Sequence, residues 1–151
     1  MTVTSDQNMA RKAWLSLLAK SPAADVAHHW AALGLVVEHH VLRSPEVGGV
    51  MVRGRAGAVG AAFNLGEMTV TRASVKLSDG TIGHGYVQGR SKAHALQSAL
   101  VDALMQTDAS AAVEAGLLAP LREAMRARQS QRAAKAAATK VDFFTMVRGE
   151  D

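Results

Sequence analysis

The chain has 151 residues, a formal net charge of +4, 48% hydrophobic and 20% charged residues, and no cysteine. That length suits one domain with a real core, since a domain this size buries about 68–70% of its unfolded surface. The missing thiols exclude disulfides, thiolate zinc sites, cysteine-ligated iron–sulfur clusters and cysteine nucleophiles within this chain.

Aromatic residues make up 4% of the chain, so the core has to be built from Leu, Val, Ala and Met. The positive balance suits anionic partners without selecting one. No run approaches the roughly 18 apolar residues of a membrane span. The start MTVTSDQNMARK has no apolar signal core, so a cytoplasmic protein with no membrane contact is expected.

Residues 1–8 are polar and are expected to lack order. From Met9 to Lys20, apolar Ala10, Trp14, Leu17 and Leu18 recur at helical spacing. Ser21 then reads as the N-cap of a second helix, with Pro22 at its first position and Gly34 closing it after Leu33. Its apolar side is Val26, Trp30 and Leu33. His28 and His29 are sequence neighbours, about 100° apart on a helix, and so do not form a metal pair.

LVVEHHVLR, Leu35 to Arg43, reads as a first strand with His39 and His40 on opposite faces. SPEVGG is expected to turn the chain into a second strand, Val50 to Arg55. There Val50 and Val52 share one side, and Met51, Arg53 and Arg55 the other. AGAVGAAFNLGE predicts a loop or bulged strand anchored by Phe63 and Leu65.

The stretch from Met68 to Gln106 organises the rest. Two alternating runs, TVTRASVKLS and TIGHGYVQ, flank Asp79-Gly80, the composition of a two-residue type I′ hairpin turn. That turn would set Leu77 opposite Ile82, Val75 opposite His84 and Ala73 opposite Tyr86, on one mostly apolar face. Arg72, Ser74, Lys76 and Ser78 would share the other face with Thr81, Gly83, Gly85 and Val87, making it basic with bare backbone. After Arg90 the period changes to helical, with Leu96, Leu100 and Leu104 one turn apart beside Ala93 and Ala103.

QTDASAAVEAG reads as a loop or short helical piece. Leu117 to Thr139 reads as a helix with Leu118, Leu121 and Met125 at core spacing. Beyond Met125 the tract RARQSQRAAKAAATK has high helix propensity and nothing large to bury, so it is expected to be exposed or to lie on a partner. VDFFTMVRGED closes the sequence with a dense apolar group.

No catalytic residue and no metal-ligand spacing is defensible among the six histidines. His84 reads either as a hydrogen-bonded, semi-buried histidine or as an acid–base group. Gly89-Arg90-Ser91, opening a helix with Lys92 and His94 behind, reads either as a plain serine cap or as an anion site. The basic sheet face with Arg72 and Lys76 reads as solvated or as a ligand surface, since strand glycines often mark close approach. The basic tract from Arg122 to Lys140 has no aromatic platform, so nucleic acid is not an expected partner.

Two segments carry a resemblance: TRASVKLSDGTIGHGYVQGRSKAHALQSALVDALMQ and the terminal VDFFTMVRGE. With the similar N-terminal RKAWLSLLAKSPAADVAHHWAALGL, they closely resemble the PhnG family, subunits of the bacterial carbon–phosphorus lyase core complex. The resemblance implies an α+β fold: an antiparallel sheet of about four strands around the Asp-Gly hairpin, helices packed on one face, and an extended C-terminal tail. Residues 1–140 would form the domain, and residues 141–151 a tail docking on a partner subunit.

The resemblance further implies work with PhnH, PhnI and PhnL in joining ATP and methylphosphonate with release of adenine. The product would be α-D-ribose 1-methylphosphonate 5-triphosphate. PhnJ, a core subunit with an iron–sulfur radical mechanism, would later cleave the carbon–phosphorus bond. No cofactor is expected in this chain, and a purely structural scaffold is the competing reading. The residues suggest Arg72, Lys76, Arg90, Ser91 and Arg148 as anion contacts, and Phe143, Phe144, Met146 and Val147 as partner contacts.

Overall fold

A computed structural model describes residues 2–57 and 59–141. The elements run α1 (Thr2–Lys20), α2 (Ala23–Leu33), β1 (His39–Arg55), β2 (Ala62–Leu77), β3 (Ile82–Gln88) and α3 (Lys92–Leu104). After these come α4 (Ser110–Val113), a π-helical turn (Glu114–Leu118) and α5 (Ala119–Ala138). This is the expected α+β architecture, with an antiparallel sheet in the order β1-β2-β3 and helices over one face.

Among the described residues the sheet has three strands rather than about four, because SPEVGG does not turn. It lies inside one continuous β1, with register shifts between Val41 and Arg43 and, across Pro45, between Arg43 and Glu46. β1 is an edge strand, where the missing proline N–H costs no ladder bond and a bulge absorbs the ring. Paired along its length with β2, it runs well past β3, whose partners are confined to Val70–Lys76. Residues 49–55 and 62–69 therefore form a two-stranded ribbon.

The hairpin register also differs by one residue. Leu77 N–H donates to the Thr81 carbonyl at 2.9 Å and Gly80 N–H to the Leu77 carbonyl at 3.0 Å, so the loop is the three residues Ser78–Gly80. Gly80 takes φ +95° while no described non-glycine residue has positive φ, so Asp79 does not adopt the type I′ geometry. Instead the Asp79 carboxylate accepts the Thr81 N–H at 2.8 Å. This is a turn ending in a left-handed glycine, the three-residue alternative.

The one-residue change swaps the two faces of β3 against those of β2. Ala73 now pairs with Gly85 and Val75 with Gly83, on the dry side with Thr71, Leu77 and Val87. His84 pairs with Ser74, Tyr86 with Arg72 and Ile82 with Lys76, all on the open side.

The reversal has a packing cause. Ala95, Ala99 and Ala103 lie one turn apart on α3 and are fully buried. A Cβ on Gly83 would collide with the Ala99 carbonyl, and one on Gly85 with the Ala95 carbonyl. The strand glycines make room for a helix rather than for a ligand.

Leu17, Leu18, Val26, Leu117, Leu118 and Leu121 complete the core, with Trp14, Trp30, Leu33 and Met125 against it. α1 begins at Thr2, well before the expected start. Ser21 closes α1 instead of capping α2: its hydroxyl donates to the Leu17 carbonyl at 2.8 Å. Gly34 ends α2 at φ +61° as expected. Phe63 and Leu65 are exposed, with Leu65 lying over Gly54 on the ribbon. The second half of α5 is exposed.

Candidate functional site

Sheet and helices meet at one fully buried carboxylate, Asp102 on α3. It accepts Arg11 Nε at 3.0 Å and Trp14 Nε1 at 2.9 Å on Oδ1, and Arg11 Nη2 at 2.7 Å and the His84 backbone N–H at 2.9 Å on Oδ2. One turn on, Gln106 Nε2 donates to the Ile82 carbonyl at 3.0 Å. The outward backbone groups of β3 are thus met by α3 side chains, which blunts that edge against pairing with another chain. A buried charge with four donors from α1 and β3 is a fully satisfied network.

The same junction shapes the open side. Arg11, Leu42, Arg43, Ser74, Gly80, Ile82, His84 and Gln106 line a shallow depression of about 560 Å³. Cross-strand pairing sets Arg43, Ser74 and His84 in one row. Ser74 Oγ and His84 Nδ1 are 2.9 Å apart.

This pair does not extend to a catalytic triad, because Asp102 holds the backbone of His84 and not its ring. A base without an orienting acid lacks the third member of that arrangement. Among the described residues, no three His, Asp or Glu side chains gather as a metal site. His28 and His29 make only an edge-on ring contact, with centroids 5.2 Å apart.

The anticipated anion contacts do not converge. Arg72 is occupied: its Nε lies 2.7 Å and its Nη2 2.6 Å from Glu46 Oε1, which also accepts Arg43 Nη1 at 2.9 Å. The Arg72 and Arg43 hydrogen bonds hold the Glu46 carboxyl below its ordinary range. Lys76 is exposed on the same face, four residues from Arg72, about 13 Å by strand rise.

Arg90 is exposed beyond the far end of β3. Ser91 is the cap of α3, its hydroxyl accepting the His94 N–H at 3.2 Å. The corner reads as capping, and His94 adds no cation to it. That ring is buried, and its Nε2–H donates to the Leu18 carbonyl at 2.9 Å. Burial pushes its pKa down despite that bond. Arg148, Phe143, Phe144, Met146 and Val147 lie outside the described residues.

Sequence reading missed Arg11, Arg43, Glu46, Asp102 and Gln106. One signal was present: Asp102 is the lone acid in the apolar helix QSALVDALM, and such a carboxylate stays buried only when paired. Arg11 and Trp14, three apart on α1, were the matching donors.

Comparison with known proteins adds two findings. The sequence model of the family described as "Phosphonate metabolism protein PhnG" matches residues 9–149. A protein of Rhizobium meliloti (strain 1021), named alpha-D-ribose 1-methylphosphonate 5-triphosphate synthase subunit PhnG, is 44% identical over 141 residues. The match spans 93% of this chain and 90% of that relative.

Proposed function

The chain belongs to the PhnG family of phosphonate metabolism proteins, and from that premise we propose that it serves as a subunit of a multisubunit α-D-ribose 1-methylphosphonate 5-triphosphate synthase. The observation that carries this is the 44% identity to a synthase subunit across nearly the whole of both chains. In this reading ATP and methylphosphonate are the substrates of the assembly and adenine leaves. The chain contributes surface and charge, because among the described residues its Ser–His pair has no orienting acid.

The partners we propose are PhnH, PhnI and PhnJ, with PhnL for the synthase step, in the cytoplasm. Among the described residues no helix is long and apolar enough to cross a membrane. The ribbon supports a partner role. A two-stranded ribbon is marginal in water by itself, and Phe63, Leu65 and Met51 are exposed along it. Residues 141–151 are proposed as a second docking element; Val141 is already 66% exposed.

A scaffold without substrate contact is the second reading, favoured by the pairing of Arg72 with Glu46. One measurement tests the main proposal. Co-expressed subunits should release adenine from ATP and methylphosphonate, while the same assembly lacking this chain, and this chain alone, should not. Full release without the chain would overturn it.

A further inference from the structure

We propose that the depression beside Arg11 is an oxyanion subsite, taking a phosphonate group or the end of a phosphate chain across Arg43, Ser74, His84 and Arg11. The proposal deepens the synthase reading and rests on it only for the choice of probes.

The first argument is preorganisation. Asp102, fully buried, grips Arg11 through Nε and Nη2 and leaves Nη1 without a partner among the described residues. An arginine held from behind has already lost much of the rotamer freedom that anion binding would otherwise cost. Trp14 on the same carboxylate stiffens the mount from α1.

The second argument is the row itself. Arg43, Ser74 and His84 stand on three neighbouring strands at one level. The row therefore spans about 10 Å from β1 to β3, at about 4.8 Å per strand. Arg11 lines the same depression from α1. A single tetrahedral anion can touch two neighbours of this row, and a chain of phosphates can follow it.

The Ser74–His84 bond suits an acceptor ligand in either tautomer. When Nδ1 accepts from the serine hydroxyl, the ring presents Nε2–H. When Nδ1–H donates to Oγ, the serine proton is released to the ligand. One outward donor remains in each case.

The third argument is charge. Asp102 is matched by Arg11, and Glu46 carries one negative charge against two arginines, Arg43 and Arg72. One guanidinium charge is left over on this face, and Lys76 on the adjoining row adds another. Arg43 keeps its second amino group, Nη2, without a partner among the described residues. Charge-assisted contacts to a fork of this kind suit phosphoryl and phosphonyl oxygens.

The test uses the full-length chain with labelled histidine rings, followed by NMR. It is titrated separately with methylphosphonate, with tripolyphosphate and with sodium chloride at matched ionic strength. The expected result is a saturable shift of the His84 ring signals with one or both phosphorus compounds, absent with chloride, while His28 and His29 stay still. Saturation by methylphosphonate assigns the phosphonate group to the row; saturation by tripolyphosphate alone assigns the nucleotide's phosphate chain.

Arg11→Ala risks loosening α1, so Arg43→Ala carries the mutational arm and should weaken binding at least tenfold. Lys92→Ala, with the same change in net charge, should leave binding unchanged. Shifts that merely follow ionic strength, or equal weakening by both substitutions, would overturn the subsite. Adenine release that depends on this chain would stand regardless, so the two readings can fail separately.

Discussion

His84 is tied to Asp102 through its backbone and to Ser74 through its ring. The amide donates to Asp102 Oδ2 at 2.9 Å, and Nδ1 lies 2.9 Å from Ser74 Oγ on the other side of the strand. The carboxylate therefore acts on architecture: it joins α1, β3 and α3 while the imidazole stays in the open depression.

The first prediction follows from that junction. Asp102→Ala strips a half-buried arginine, an indole N–H and a strand N–H of one acceptor. Leaving buried donors unsatisfied costs about 1–3 kcal/mol. Urea unfolding of the chain should show it, with Asp102→Asn intermediate. A loss under about 1 kcal/mol, the scale of an exposed ion pair, would mean that water replaces the carboxylate.

The strand glycines give a test of register. Gly83→Ala and Gly85→Ala each push a methyl group into α3 backbone, at Ala99 and Ala95. Overpacking of this kind costs about 1–3 kcal/mol or more. Gly48→Ala on β1 meets nothing within 4 Å and should be nearly neutral. Thermal unfolding of the three variants decides it, because equal tolerance would return the glycines to the open face.

His94 sets a pH dependence. Its folded pKa lies below the ordinary value of 6.5, chiefly through burial. Between the two values the unfolded chain binds the extra proton, so stability rises with pH in that window. The contribution is complete above about 6.5 and is lost as pH falls through the folded pKa. His94→Gln should flatten the dependence of unfolding free energy on pH over that range. An unchanged slope in the variant would place the titrating group elsewhere.

The ribbon should matter to assembly and not to folding. Phe63 and Leu65 are 45% and 62% exposed. Exposed positions usually change stability by no more than about 0.5 kcal/mol. Phe63→Ser with Leu65→Ser should keep the melting curve and abolish co-purification with the co-expressed subunits. Removal of residues 141–151 should have the same outcome if the tail docks as proposed; undiminished capture in either variant sinks that element's role.

Much was legible in local chemistry. The apolar spacing of Trp14, Leu17 and Leu18, the left-handed Gly34 and the fading of the apolar stripe after Met125 each depend on neighbours within a turn or two. So does the order of hairpin then helix from Met68 onward, along with the residues that carry the family resemblance. Helix periodicity and caps are short-range properties, and a sequence displays them directly.

The tertiary structure decided register, edges and partners. Asp79-Gly80 is compatible with loops of two or three residues, and the local free energies differ little. The choice fell to α3, whose alanine row reaches the sheet only where Gly83 and Gly85 face it. That single residue of register moved His84, Tyr86 and Ile82 onto the open side, where Arg72, Ser74 and Lys76 stand. β1 stayed continuous through Pro45 because one of its edges is free, which depends on the strands beside it and not on SPEVGG. Asp102 and Arg11 are 91 positions apart, and only the packing of α1 against α3 brings that arginine to its carboxylate.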